Sequence, residues 1–188
     1  MDKPKSTKLR IKESALKLFV SKGIKSTTIK DIATDVSISE GALYRHFVSK
    51  EELAKELFLE SFFQLADDAE KIVESHDSID QQLTHIILHI CQSYDNHPVL
   101  FNYLLITQHH QVEFVKKGDK TPMRVCLKMF QKAIEQDDSM IQDAMTCVAL
   151  VFGILIQAAA FRYYQRITKT MMEDSDLFIS ACKRIIRQ

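Results

Sequence analysis

Residues 27–53, TTIKDIATDVSISEGALYRHFVSKEEL, constrain the fold of this chain more than any other stretch. Apolar residues at helical spacing end at Val36, and residues 37–39 form a short polar break. A second short helix is predicted over residues 40–47, and Ser49 is placed to cap a longer one. The pattern predicts two helices joined by a tight turn, which is the helix-turn-helix arrangement.

Few residues in the chain interrupt helices. Only four Gly and three Pro occur in 188 residues, of which 46% are hydrophobic, so an all-α fold with one substantial core is expected. The apolar spacing predicts about nine helices, the later ones near residues 78–95, 98–117, 121–136, 139–168 and 174–187. We expect a small N-terminal domain over residues 1–52 and a larger helical domain over residues 53–188.

The charges are unevenly distributed, although the net charge is zero. Residues 1–55 hold 12 Lys or Arg and 7 Asp or Glu, whereas residues 56–188 hold 13 and 18, so the two parts carry +5 and −5. A basic N-terminal segment followed by an acidic remainder is typical of nucleic-acid binding, although two ordinary solvated surfaces would give the same counts.

The N-terminal part resembles the TetR family of bacterial transcriptional regulators. The resemblance covers roughly residues 8–58 and is densest from Gly41 to Leu53. It is carried by Ala15-Leu16, Phe19, Gly23, Thr27-Thr28, Asp31-Ile32-Ala33, Ser39 to Phe47 and Ser49 to Leu53. Membership would imply an N-terminal three-helix DNA-binding domain, followed by a helical domain that binds a small effector and dimerises.

The predicted second helix and its flanks carry the side chains expected to contact double-stranded DNA. Arg45 is the candidate base reader, because a guanidinium can bond guanine O6 and N7 together; a phosphate contact is the alternative. The resemblance gives Tyr44 and His46 phosphate contacts, and Lys50 is expected to hold backbone phosphate. The full predicted set is Thr28, Ser39, Gly41, Ala42, Tyr44, Arg45, His46 and Lys50.

One residue departs from the family pattern. Ser37 stands in the turn between the two helices, where the family usually has glycine. If this turn needs a positive φ, a residue other than glycine costs on the order of 1 kcal/mol there. The basic residues Lys3, Lys5, Lys8 and Lys30 would add attraction to DNA of any sequence.

The middle of the chain is rich in Phe, Met and His, which is compatible with a pocket for a small hydrophobic or aromatic effector. Ordinary core packing explains most of these residues equally well, and the pair His85 and His89 could instead bind a metal. No cofactor and no metal are expected. The candidate pocket residues are Phe62, Phe63, His85, His89, Phe101, Tyr103, Gln108, Met123, Phe130 and Gln157.

Residues 144–161 are almost purely apolar and approach the length that spans a membrane. Burial by packing partners explains the run as well as membrane insertion does, and no membrane contact is expected. The resemblance places the last two helices in a homodimer, so the operator should be an approximate palindrome. The candidate interface residues are Val148, Phe152, Leu155, Ala159, Leu177 and Ile185.

The expected function is ligand-responsive transcriptional regulation, as a repressor or, alternatively, an activator. A small helical enzyme is the rival class, but the sequence has no nucleotide-binding Gly loop, nucleophile motif or paired-carboxylate signature. The four cysteines are widely spaced and lie in apolar surroundings, and the first twelve residues lack a secretory h-region. A cytoplasmic protein with reduced cysteines is therefore expected.

Overall fold

The computed structural model describes residues 6–111, 114–136 and 141–187, with backbone only for residues 105–111. Within these ranges the chain forms nine α-helices and a short 3-10 helix, Met172–Asp174. The α-helices are α1 Thr7–Lys22, α2 Ile29–Val36, α3 Glu40–Tyr44, α4 Lys50–Glu74, α5 Ile79–Asn96, α6 Pro98–Gln111, α7 Pro122–Ile134, α8 Ala144–Tyr163 and α9 Ser175–Ile185. The predicted all-α class is confirmed.

The chain divides into two compact units that do not follow the predicted boundary after residue 52. The first unit comprises Met1–Ser61 and Asn102–Lys117, and the second comprises Phe62–Phe101 and Gly118–Gln188. Tyr103 shows why part of α6 belongs with the N-terminal helices. Its ring stacks on Phe19 at a centroid distance of 6.3 Å, and its hydroxyl donates to the Ala54 carbonyl at 2.7 Å.

The first unit has an apolar core to which each of its first four helices contributes. The buried side chains are Ile11, Ala15, Phe19, Ile32, Ala33, Val36, Leu43, Phe47, Leu53, Ala54, Leu57 and Phe58. Serine side chains cap two helix starts: Ser39 accepts from the Ala42 N–H at 3.1 Å, and Ser49, the predicted cap, accepts from the Glu52 N–H at 3.1 Å. Each such cap typically stabilises a helix by about 1 kcal/mol.

Ser37 ends α2 in the left-handed conformation, with φ 58° and ψ 49°. Its N–H donates to the Thr34 carbonyl at 3.1 Å, and the Ile38 N–H donates to the Ala33 carbonyl at 2.9 Å, which closes the helix. The turn therefore needs the positive φ that the sequence comparison with the family suggested, and serine bears the steric cost.

Replacing Ser37 with glycine is expected to stabilise the first unit by about 1 kcal/mol, because glycine adopts this conformation without a Cβ clash. Thermal unfolding followed by circular dichroism measures the change. Thr34→Gly, at an exposed position inside the same helix, is the control and should destabilise by roughly 0.3 kcal/mol, because glycine has a lower helix propensity than threonine. Destabilisation by both substitutions would contradict the strain assigned to Ser37.

The second unit is held together by helices α5, α7, α8 and α9, whose inward faces form its core. Fully buried side chains include Leu83, Ile87, Phe130 and Leu155. The cysteines Cys91, Cys126, Cys147 and Cys182 are all buried free thiols, as the sequence predicted. Burial raises the pKa of the Cys91 thiol to about 11 and that of Cys126 to about 12, so these thiols are poor nucleophiles at neutral pH.

A buried guanidinium organises the connection from α8 to α9. The Arg162 side chain is 5% exposed and donates to the carbonyls of Ala158, Lys169 and Thr170, at 3.1, 2.7 and 3.0 Å. It also forms an ion pair with Asp174. Because every partner except Ala158 lies in the connection, Arg162 fixes the path of the chain into α9.

The same connection is fixed from α5 by Asp95. Its two carboxylate oxygens accept from the backbone N–H groups of Met171 and Met172, each at 2.9 Å. Two charged side chains therefore satisfy the backbone groups of one connection, the guanidinium by binding carbonyls and the carboxylate by binding N–H groups.

The helix bounds agree with the sequence best in the N-terminal part. Helix α4, Lys50–Glu74, begins directly after the predicted cap at Ser49, whereas α3 ends at Tyr44 instead of residue 47. Helix α6 ends at Gln111, and α8 is Ala144–Tyr163 where residues 139–168 were predicted. The early start predicted for α8 is wrong because Asp143 caps that helix, accepting from the Met145 N–H at 3.0 Å.

Candidate nucleic-acid interface

Helix α3 and the turn after it present one exposed face on the first unit. Leu43 and Phe47 are buried, which turns Gly41, Tyr44 and His46 outward. Arg45 follows the helix with helical backbone angles, φ −68° and ψ −19°, and its side chain is exposed as well. The backbone continues in a turn after the end of α3, because the His46 N–H donates to the Leu43 carbonyl at 2.8 Å.

The side chains of this face have no partners within the part of the chain that the structure describes. Tyr44 is 52% exposed, and neither its hydroxyl nor the Arg45 guanidinium nor the His46 ring forms a hydrogen bond or an ion pair there. Ala42 is half-buried. Three neighbouring side chains that can donate hydrogen bonds are thus available to an external partner, and their predicted DNA contacts remain predictions.

Thr28 has a capping role that uses its hydroxyl. Its Oγ1 accepts from the Asp31 N–H at 3.1 Å and donates to the Asp31 carboxylate at 2.9 Å, while its own N–H donates to that carboxylate at 2.9 Å. The hydrogen bonds from the Thr28 backbone and hydroxyl lower the pKa of Asp31. A phosphate approaching Thr28 would meet this carboxylate, so the predicted phosphate contact requires the capping box to rearrange.

Lys50 has partners inside the first unit that the sequence did not predict. Its Nζ donates to three backbone carbonyls, those of Thr27, Ile24 and Lys25, at 2.8, 2.9 and 3.0 Å. An ammonium group has three donors, so these bonds use all of them. In this structure Lys50 ties the start of α4 to the loop between α1 and α2, and its predicted contact with phosphate stays a prediction.

Replacing Lys50 with methionine is expected to destabilise the first unit by about 2 kcal/mol, because hydrogen bonds to a charged group are lost from three carbonyls. Chemical denaturation measures the change, and operator affinity should fall with it. Lys30→Met is the control at an exposed lysine without an ion pair in the described residues, and it should leave stability unchanged. Unchanged stability with weaker DNA binding in the Lys50 variant would restore the phosphate role.

Lys8, which was predicted to attract DNA of any sequence, also forms an ion pair within the first unit. It pairs with Glu56 at 2.8 Å, and Lys12 pairs with Glu56 at 2.8 Å and with Glu60 at 2.6 Å. Desolvation raises the pKa of Glu56, but the hydrogen bonds and charges of Lys12 and Lys8 outweigh it and lower the pKa overall. The cluster ties α1 to α4. Lys3 and Lys5 lie outside the described residues.

The predicted dimer residues fall on two opposite sides of the last helices. Val148, Leu155 and Ala159 are buried in the core of the second unit, at 5%, 1% and 0% exposure, and their assignment to an interface stays a prediction. Leu177 and Ile185 are exposed, at 66% and 40%, and Phe152 is half-buried. Helix α8 is apolar all round, so the sequence could not show which side faces its own unit.

The predicted pocket residues differ in burial. Phe130 is fully buried in the core, Tyr103 belongs to the first unit, and Met123, Gln157 and His85 are exposed. The assignment of these five residues to a pocket stays a prediction. The Gln108 side chain lies outside the described residues.

The other four predicted pocket residues with described side chains are also candidates for contact with an effector. Phe62, Phe63 and Phe101 are half-buried in the second unit. So is His89, whose Nε2 is shielded from solvent without a hydrogen-bond partner among the described residues. The nearest charged group to it is the Asp68 carboxylate, at 3.9 Å. His85, the other member of the proposed metal pair, stacks on His76 with a ring separation of 3.9 Å.

The second unit also has an open cleft, of about 730 Å³, that the sequence reasoning missed. One wall carries Arg124, Lys128 and Lys132 on α7, and the opposite side carries Glu70 and Glu74 on α4. Lys120 bridges to Asp67 and Glu70 at 2.5 and 2.7 Å. Basic residues at every fourth position from 120 to 132 were the available sequence signal.

The sequence of the N-terminal helices is similar to that of known proteins. The family profile described as bacterial regulatory proteins, tetR family, matches residues 11–57, which contain the helix-turn-helix. The repressor KstR2 of Mycolicibacterium smegmatis is 31% identical over 85 residues, which cover 45% of this chain and 42% of the relative. The alignment therefore spans less than half of that curated relative's length.

Solved structures extend the likeness to the fold of the whole chain. The ketosteroid transcriptional regulator KstR2 of Mycobacterium tuberculosis has a TM-score of 0.79 at 18% identity, covering 99% of this chain and 97% of that one. FadR from Bacillus subtilis, solved in complex with stearoyl-CoA, has a TM-score of 0.71 at 14% identity, covering 93% and 96%. These identities show the fold alone.

The all-α fold is shared with solved transcriptional regulators, and the profile for bacterial regulatory proteins matches the segment that contains the helix-turn-helix. Residues 11–57 thus match the N-terminal segment of the TetR family of bacterial regulatory proteins.

Proposed function

We propose that the protein is a transcriptional repressor that binds a palindromic operator as a homodimer and is released by a small hydrophobic effector. The observation that carries the proposal is the outward face of α3, where Tyr44, Arg45 and His46 stand exposed without partners in the described residues. Arg45 would read a guanine edge, and Tyr44 and His46 would contact phosphates on either side.

Gly41 supports a partner that approaches this face closely. A glycine inside a helix costs about 1 kcal/mol relative to alanine. A Cβ at Gly41 would meet only the Ser39 hydroxyl, at 4.0 Å, so the fold itself does not require glycine there. Close approach of the α3 backbone to DNA would give the residue a reason, because any side chain would lie between the two surfaces.

Exposed apolar side chains on α8 and α9 support homodimerisation. Met145 and Phe161 on α8 are 47% and 45% exposed, and Leu177 and Ile185 on α9 are 66% and 40% exposed. Monomers rarely leave such a patch uncovered, and a second copy would bury it in a two-fold arrangement.

Helix α8 is also long and apolar enough to cross a membrane, at a mean hydropathy of 2.2. We favour the dimer because Arg162 near its end is part of the unit's own polar network.

The unpaired nitrogen of His89 supports an effector with a polar group. A shielded ring nitrogen without a partner costs about 1–3 kcal/mol, which a hydrogen bond from a bound molecule would recover. Relatives in fold include a ketosteroid regulator and a protein solved with stearoyl-CoA; a steroid skeleton and a stearoyl chain are both large apolar groups. An effector that prefers the non-binding conformation by about 3 kcal/mol would weaken operator affinity roughly a hundredfold.

Footprinting the purified protein on the DNA upstream of its own coding sequence tests the proposal. We expect two symmetric protected half-sites about one helical turn apart, from a protein purified without detergent, as a cytoplasmic regulator should be. Adding candidate apolar ligands should then release the DNA, and His89→Phe should lower the sensitivity to the effective one. Equal protection of all sequences would contradict the operator, and release without any change for His89→Phe would contradict the anchor.

A further inference from the structure

Glu40 adds a negative charge to the face that is proposed to meet DNA. Its side chain is exposed, and it forms no hydrogen bond or ion pair in the part of the chain that the structure describes. Tyr44, four residues later, lies one turn further along the same side of α3 and is exposed as well. The neighbouring Gly41 has no side chain that could cover the carboxylate. Glu40 is therefore open to whatever approaches this face.

Helix capping does not explain a carboxylate at this position. Ser39 caps α3 by accepting from the Ala42 N–H, and Glu40 directly follows that cap. In α2 the third residue after the cap, Asp31, accepts from the backbone N–H of Thr28, whereas the third residue after Ser39 is an alanine. Glu40 makes no such bond within the described residues. Only an exposed carboxylate's weak, salt-screened interaction with the helix dipole is left to the fold.

DNA phosphates repel a carboxylate, so Glu40 suits this face only where a base edge donates a hydrogen bond to it. In the major groove guanine presents two acceptors, N7 and O6, and thymine presents the acceptor O4 and a methyl group. Adenine has the N6 donor beside the N7 acceptor, and cytosine has the N4 donor. An ionised carboxylate only accepts. Cytosine is thus the base whose groove edge offers a donor without an acceptor beside it.

We infer that Glu40 selects cytosine at one position of each operator half-site by accepting a hydrogen bond from its N4 amino group. The inference rests on the proposed function and deepens it by assigning a base to the operator. The first residues of a recognition helix are those that contact base edges in helix-turn-helix proteins, and Glu40 is the first residue of α3. With Arg45 proposed for guanine, this face carries two readers of opposite charge.

Binding to duplexes that differ at a single base pair tests this selection. Half-sites selected from a randomised library give the operator, and fluorescence anisotropy then compares the four bases at the selected position. The wild-type protein should bind the cytosine duplex at least about tenfold more tightly than the guanine or thymine duplex. Glu40→Gln should move the preference at this position alone to adenine, because an amide bonds adenine N6 and N7 together. Glu40→Ala should lose the preference there without gaining another.

Asp35→Asn is the matched control for the charge. Asp35 is an exposed carboxylate on α2 without a partner among the described residues, so this variant removes the same charge as Glu40→Gln. It should change the affinity for all four duplexes by one common factor, and circular dichroism checks that every variant is folded.

The outcomes separate this inference from the proposed repressor. If Glu40→Gln also changes all four affinities by one common factor, the carboxylate acts through its charge alone. That result would overturn the cytosine contact and leave the repressor standing. A wild-type protein without base preference at any position would overturn both.

Discussion

Replacing Arg162 with methionine is expected to lower the free energy of unfolding by about 3 kcal/mol, the loss typical when one partner of a buried ion pair is removed. The substitution leaves the carbonyls of Lys169 and Thr170 without their donor and leaves the Asp174 carboxylate, 19% exposed, without its buried partner. Methionine keeps most of the side-chain volume, so the effect reports the lost polar contacts rather than a cavity.

Lys169→Met is the matched control for Arg162. Lys169 also pairs with Asp174, at 3.6 Å, but its side chain is 65% exposed, so its removal should change stability by less than about 0.5 kcal/mol. Urea denaturation of both variants, with the midpoint and the m-value fitted separately, measures the difference. Equal, small effects of both substitutions would show that the guanidinium does not organise the connection to α9.

Replacing Arg45 with alanine is expected to abolish the preference for operator over scrambled DNA, a loss of about 1–3 kcal/mol of discrimination per guanine contact. Arg45→Lys separates the two roles that a cation can have at this position. Lysine keeps the charge for a phosphate but lacks the planar pair of donors that arginine uses for guanine O6 and N7. The lysine variant should therefore bind all DNA with the wild-type salt slope and little operator preference.

Fluorescence anisotropy on operator and scrambled duplexes, at several salt concentrations, provides the measurement for Arg45. Circular dichroism serves as the folding control, since Arg45 is exposed and its substitution should leave stability unchanged. If Arg45→Lys retains full operator preference, the side chain contacts phosphate and another residue reads the bases.

The helix-turn-helix was predictable because the residues that cap and end its helices are close in sequence to the groups they bind. The caps at Ser39 and Ser49 are set by residues three positions away, and the left-handed turn at Ser37 follows from the break between two short helices. The alternation of buried and exposed positions also follows helical spacing, which is why Leu43 and Phe47 point inward and Tyr44 outward. Lys50 escaped prediction because its three carbonyl partners lie 23 to 26 residues away.

For residues 53–188, the sequence predicted the helices but not how they pack. Helix α8 is apolar on every side, so its sequence does not indicate which residues face the core. Val148, Leu155 and Ala159, predicted at an interface, are buried in the second unit. Tyr103 was assigned to an effector pocket because aromatic residues suit one. Its hydroxyl instead bonds the Ala54 carbonyl, 49 residues away, a contact that no local pattern encodes.

The sequence by itself determined the helical class and the helix-turn-helix with its caps, because hydrogen bonds over three or four residues and apolar spacing specify these locally. Only the tertiary structure decided that Lys50 is a structural tie, that Arg162 holds the connection to α9, and that Glu40 is exposed without a partner in the described residues. Those roles depend on which surfaces the packing of helices leaves covered, and burial is a property of the whole fold rather than of any segment.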